Sequence, residues 1–247
     1  MQLHLSAWPE IEAYLATSKA ILIPIGSTEQ HGPLGLLGTD AICAEFIARQ
    51  AGDEGGFLVG PTFNVGQAQH HMSFPGTITL RPSTMIAAMT DWANSLRHHG
   101  FQRIYWLNGH GGNIATINAA FAEIHHATSF DPSGQTHALR CSLRNWWELA
   151  GVTELIRSLF PVGEGSHATP SEISVTQYAC PGTEKGADLT VKIAPSGPIF
   201  DAEDFRRRYP DGRIGSDPTL ANPEAGKKLV DAAVRALVRE FKAFAAG

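Results

Sequence analysis

AILIPIG, residues 20–26, is an unbroken apolar run. A strand with one wet face would alternate apolar and polar residues. A continuous run fits a strand covered on both faces. QRIYWLNG (102–109) and HALRCSL (137–143) read as further strands, as do 57–63 and 189–194. Helix-period segments lie between them. Trp8-Pro9-Glu10 opens a short helix, with Pro at a first helical position. Asp40 is placed to cap a helix over 41–51, whose Ile42, Phe46 and Ile47 share one side. Ser83 is placed to cap a helix over 84–99, closed by Gly100. Asn113 starts a helix to about 127, and Thr169 one to about 179. Asn222-Pro223-Glu224 starts the last, with Leu229, Ala233, Leu237 and Phe241 at helical spacing. Strands alternating with helices predict a mostly parallel sheet covered on both faces. In such sheets ligands bind beyond the carboxyl ends of the strands.

Composition narrows the function classes. The net charge of −5 argues against an electrostatic nucleic-acid binder. No apolar run approaches ~20 residues, so no membrane span is expected. Cys43, Cys141 and Cys180 are too few and too scattered for a disulfide framework or a CxxC clamp. They point to a reducing compartment, and with no basic n-region before an apolar stretch the expected location is the cytoplasm. Charged residues are 17% of the chain, against a usual ~25%. A monomer with so few charges must cover its surface with something else, or bury part of it against a partner. No low-complexity linker divides the chain, so the expectation is one domain over 1–247.

Three polar motifs sit at strand ends or a helix start. The first is Glu29-Gln30-His31, followed by Asp40. In extended chain, residues i and i+2 point the same way, so Glu29 and His31 can face one cluster or two metal ions. The alternatives are a surface-loop Glu29 and an Asp40 that merely caps a helix. The second is Asn108-Gly109-His110-Gly111-Gly112-Asn113, where glycines let backbone approach a ligand. A plain glycine turn with an Asn cap is the alternative. A phosphate cradle would need a nearby basic residue or a Gly-rich consensus, and neither is present. The third is His167-Ala-Thr-Pro-Ser-Glu172, in which Thr169 and Glu172 have capping-box spacing.

The remaining histidines carry less. His98-His99 and His125-His126 end helices. His70-His71 lies in an aperiodic stretch (64–83) suited to a substrate-contacting loop, and Trp146-Trp147 is placed either to line a pocket or to be buried. Together Glu29, His31, Asp40, His110 and Glu172 form an O/N ligand set for Zn²⁺, Mn²⁺ or Fe²⁺. Five ligands for two metals leave positions for water, which favours hydrolysis over a closed structural site.

PIGSTEQHGPLGLLGTD (24–40), HHMSFPGTITL (70–80), NGHGGN (108–113), SHATPSEIS (166–174) and GSDPTLANPEAGKKL (215–229) resemble the creatininase (creatinine amidohydrolase) family, in the family's order. The resemblance implies a three-layer α/β/α sandwich, two divalent metal ions, a homo-oligomer (often a hexamer) and hydrolysis of non-peptide or specialised amide C–N bonds. Carried over, Glu29, Asp40 and His110 would hold one ion. His31, bridging Asp40 and a second carboxylate would hold the other. Creatininase itself resembles N-G-H-x-E-N, whereas this chain has Gly112, so Glu172 is the replacement expected here and creatinine as substrate is in doubt. His167 is expected to donate the leaving-group proton, and His71, Gly111 and Trp146 to contact a small-molecule substrate. Alternatives are a peptidase acting on a modified precursor peptide and a non-catalytic metal-stabilised ligand-binding module.

Overall fold

A computed structural model of the chain describes residues 1–133 and 138–247. In order, the elements are α1 (Trp8–Thr17), β1 (Ala20–Ile25), α2 (Thr39–Gly55), α3 (Pro82–His98), β2 (Arg103–Asn108), α4 (Ile114–Ser129), β3 (Arg140–Asn145), α5 (Val152–Leu159), α6 (Pro170–Ala179), α7 (Ala202–Arg208) and α8 (Pro223–Ala246). The strands form a parallel sheet in the order β1-β2-β3. His137, the first residue of the third expected strand, lies outside the described residues.

The apolar run of β1 is divided between two cores by strand alternation. Ala20 and Leu22 join Tyr105 and Leu107 of β2 on one face, under α2, α5 and α8. Ile21, Ile23 and Ile25 join Ile104 and Trp106 on the other, under α3 and α4. Helices therefore cover both faces of an open parallel sheet. The fold is α/β, as the sequence predicts.

Two expected strands are absent as regular strands, each for a local reason. Residues 58–63 do run parallel to β1, but only as isolated bridges at Leu22–Val59 and Ile25–Phe63. Leu22 N donates to Leu58 O and Gly26 N to Phe63 O, at 3.0 and 2.9 Å. The N–H that would donate between them belongs to Pro24, which has none, so the ladder opens there. At 189–194, the Arg213 guanidinium donates to the carbonyls of Val191 and Lys192, at 2.8 and 2.9 Å. A buried side chain takes the acceptors that a neighbouring strand would use.

Helix starts are also redistributed. Asp40 is not a cap: Gly38 holds that position, and Asp40 lies in the first turn of α2. Arg81, rather than Ser83, precedes α3. Asn113 does stand at the start of α4, but its side chain makes no cap bond. Its amide donates to Gly26 O at 2.9 Å and accepts from Gln67 N at 2.9 Å, tying the end of β1 to the following loop.

Candidate metal centre

The carboxyl ends of β1 and β2 deliver Glu29, His31 and His110 to one place. Glycine is what lets α2 close over them. A Cβ on Gly109 would lie 2.0 Å from the main-chain oxygen of Asp40, and one on Gly26 would lie 2.4 Å from Ala41 N. Backbone atoms cannot yield, so Asp40 reaches the cluster because both positions lack a side chain. Gly109→Ala should therefore cost about 3 kcal/mol, the upper range for overpacking. That lowers the thermal midpoint by roughly 6–12 °C in a chain of this size. An unchanged midpoint in a calorimetric scan would show that α2 is not held by this contact.

All five expected ligands converge, and all are buried except Glu172, which is half-buried. Glu29, Asp40 and His110 form one set, and His31, Asp40 and Glu172 a second. Within each set the ligand atoms lie within 4.8 Å of one another, and Asp40 is common to both. His31 Nε2 is 3.0 Å from Asp40 Oδ1, and His110 Nδ1 is 3.1 Å from Asp40 Oδ2. His31 Nδ1 lies 3.1 Å from the Glu29 carbonyl and donates to it, which leaves Nε2 for the cluster.

Glu172 closes the capping box that its spacing predicts, and its other oxygen faces the cluster. Its Oε1 accepts from Thr169 N at 2.6 Å and closes the capping box of α6. Its Oε2 lies 4.0 Å from His31 Nε2. Gly112 fits the same arrangement: a Cβ there would come within 2.4 Å of His110 Nε2 and 2.9 Å of Gln67 O. A side chain at 112 is incompatible with His110 as placed, and the carboxylate that lies beside His31 and Asp40 stands on α6.

The donor set suits cations. Both Glu29 carboxylate oxygens and Asp40 Oδ2 are buried without a hydrogen bond. Imidazole nitrogens do lie 3.1–3.2 Å away, but without hydrogen-bond alignment. These oxygens converge on shared space rather than on donors, and so fit divalent ions.

Electrostatics agree. Burial pushes the His31 pKa down, but Asp40, Glu172 and Glu29 together raise it to about 10. For His110, Glu29 and Asp40 outweigh burial and raise it to about 9. Burial opposes ionisation of Glu29 and Asp40, yet the neighbouring imidazoles hold both below the usual carboxylate range. Glu172 is raised to about 7, mainly by burial. In the metal-free chain, protons on two imidazoles occupy the place of positive charge.

A cavity of about 660 Å³ opens on this cluster, and Asp40, His110, Glu172 and His167 line it. Glu29 and His31 stand behind that wall. The three expected substrate contacts, His71, Gly111 and Trp146, also line the cavity. His71 is also part of the cluster's surround, with Nε2 3.2 Å from Glu29 Oε1. Trp146 is 2% exposed and belongs equally to the core beneath α8, so both readings of it hold.

His167 differs from expectation in protonation. Burial, then His31 and His71, drive its pKa well below the ordinary value. At neutral pH it is an imidazole without a spare proton, so it must accept one before it can donate. Its position is set by Ser216 Oγ, which donates to its carbonyl at 2.7 Å, and by Ala168, whose left-handed φ of 54° turns the chain beside it. Sequence reasoning assigned no role to Gln30, which contacts both His71 and His167. Only its place between two ligands marked it.

The family described as Creatininase, creatinine amidohydrolase, matches residues 4–241. The mycofactocin precursor peptide peptidase of Mycolicibacterium smegmatis is 27% identical over 215 residues, covering 85% of this chain and 78% of that relative. The creatinine amidohydrolase of Pseudomonas putida is 24% identical over 247 residues, covering 93% and 92%. A solved mutant creatininase of Zn-Zn type superimposes with a TM-score of 0.84 at 22% identity, over 98% of each chain. With a family match over nearly its whole length, this chain belongs to the creatininase family.

Proposed function

We propose that this creatininase-family hydrolase cleaves a non-standard or cyclic amide C–N bond of a small molecule, and that it needs two divalent metal ions to do so. The observation that carries the reading is the pair of buried ligand sets sharing Asp40 at a cavity wall. One ion would be held by Glu29, Asp40 and His110, the other by His31, Asp40 and Glu172. Such ions, when bound, supply an acidified water and a polarised carbonyl.

The chain's own side chains do the rest. Asp40 and Glu29 keep negative charge buried at the floor. His167 Nδ1 lies 3.8 Å from Glu29 Oε1 at the cluster and takes up the water's proton, then returns it to the leaving nitrogen. Gly111, His71 and Trp146 shape the space in which the amide sits. The similarity to the M. smegmatis peptidase favours a second reading, in which the amide belongs to a modified precursor peptide.

Two measurements test this. Turnover of a panel of small amides and short modified peptides should fall to background on chelation and return with Mn²⁺ or Zn²⁺. Full metal occupancy with no hydrolysis of any amide, lactone or cyclic ketone would instead favour a ligand-binding module. The second measurement is calorimetry of Zn²⁺ binding near neutral pH, in buffers of different ionisation enthalpy. His31 and His110 are protonated without metal and must bind it as neutral imidazoles. About two protons should be released from these histidines, with about half of one more from Glu172, whose pKa is raised to about 7. Because both pKa values are raised, protons compete with metal throughout the neutral range, and affinity should climb as pH rises towards about 9–10. Binding without proton release would show that these histidines are not ligands.

A further inference from the structure

Gln30 lies between Glu29 and His31, is 5% exposed, and touches neither proposed metal set. Its amide has a fixed orientation. Gly32 N, which can only donate, lies 2.8 Å from Oε1. Gly212 O, which can only accept, lies 2.9 Å from Nε2. The oxygen and nitrogen are therefore identified by two backbone groups of invariant character. Gly212 allows this closeness: a Cβ there would fall 1.8 Å from Gln30 Oε1.

The amide nitrogen has two hydrogens and three neighbours. These are Gly212 O at 2.9 Å, His71 Nδ1 at 2.8 Å and His167 Nε2 at 2.9 Å. His167 Nε2 is also 2.8 Å from the main-chain carbonyl of Gln30, which can only accept. His167 must therefore carry its proton on Nε2 and donate it to that carbonyl. A protonated Nε2 cannot accept, so the two amide hydrogens go to Gly212 O and His71 Nδ1. His71 then has its proton on Nε2, 3.2 Å from Glu29 Oε1. The bare nitrogen of His167 is Nδ1, the atom nearer the Glu29 carboxylate.

We infer that Gln30 is a positioning residue that sets both tautomers through one carboxamide and its own carbonyl, so that His71 keeps its N–H on the Glu29 side and His167 presents a lone pair to the cluster. Its value for catalysis rests on the hydrolase reading above; the tautomers themselves do not. A proton on the wrong nitrogen of His167 would leave the cluster facing a donor where the reaction needs an acceptor.

Long-range proton–nitrogen correlation NMR of the Zn²⁺-loaded protein reads tautomers directly. Both His71 and His167 should be protonated on Nε2 and bare on Nδ1. A proton on Nδ1 of either would overturn the inference, and this result needs no variant to fold. Gln30→Met keeps the volume and removes the donors. It should retain metal, show His71 as a mixture of tautomers, and lower kcat about 10- to 100-fold, the usual cost of losing such a partner. Gln30→Glu, which adds an acceptor, should draw a proton onto His71 Nδ1. Unchanged His71 signals in both variants would overturn the inference. The expected tautomers in a protein that hydrolyses nothing would remove the hydrolase reading and leave this one intact.

Discussion

Asp40→Asn should lower kcat/KM by ~10³-fold or more and reduce bound metal, while the chain stays folded. The size follows from what is lost: acidification of water and charge stabilisation worth several kcal/mol, at 1.36 kcal/mol per factor of ten. Asp40 stands between the two ligand sets, with Oδ1 3.0 Å from His31 and Oδ2 3.1 Å from His110. An amide of the same shape offers one oxygen, a poor donor atom in nitrogen and no charge. The fold should survive because the imidazoles can shed their protons once the carboxylate that raised their pKa is gone. That spares the chain an uncompensated buried charge. Metal analysis by mass spectrometry, beside circular dichroism, checks both halves. Two ions still bound per chain would defeat the bridging assignment.

His167→Ala should lower kcat by about 10²- to 10⁴-fold, the usual contribution of a positioned proton-transfer group, with metal content unchanged. Each proposed ligand set is complete without it, although His167 also lies within reach of Glu29 and His31. The measurement therefore separates two roles. Lost activity with retained metal supports proton transfer. Lost metal would make His167 a ligand, and an unaltered kcat would remove it from the reaction.

Much of the candidate site was legible because ligand chemistry is local. Glu29 and His31 are two residues apart on extended chain after an apolar strand, and His110 follows the next such strand. The two faces of the sheet were legible in AILIPIG for the same reason: side-chain direction alternates along a strand whatever packs on it. Spacing misled where one residue serves two partners. Capping-box and ligand readings of Glu172 looked like rivals, yet the carboxylate has two oxygens: one closes the cap and the other faces the cluster. Asp40 has the residue type of a cap, but the close approach at Gly26 and Gly109 settles its position inside the first turn of α2.

The sequence by itself determined the alternation of strands and helices, the five side chains that converge on one cluster and the family to which the chain belongs. These depend on side-chain periodicity and on residue types at strand ends, which are properties of short stretches. Tertiary structure alone decided the protonation of the site. The His31 and His110 pKa values rise, and that of His167 falls, because of carboxylates and imidazoles brought in from distant segments. The tautomers follow from Gln30 meeting Gly212, which is 182 residues away. Charge and hydrogen-bond direction are set by what lies within a few ångströms in space, and no pattern along the chain records that.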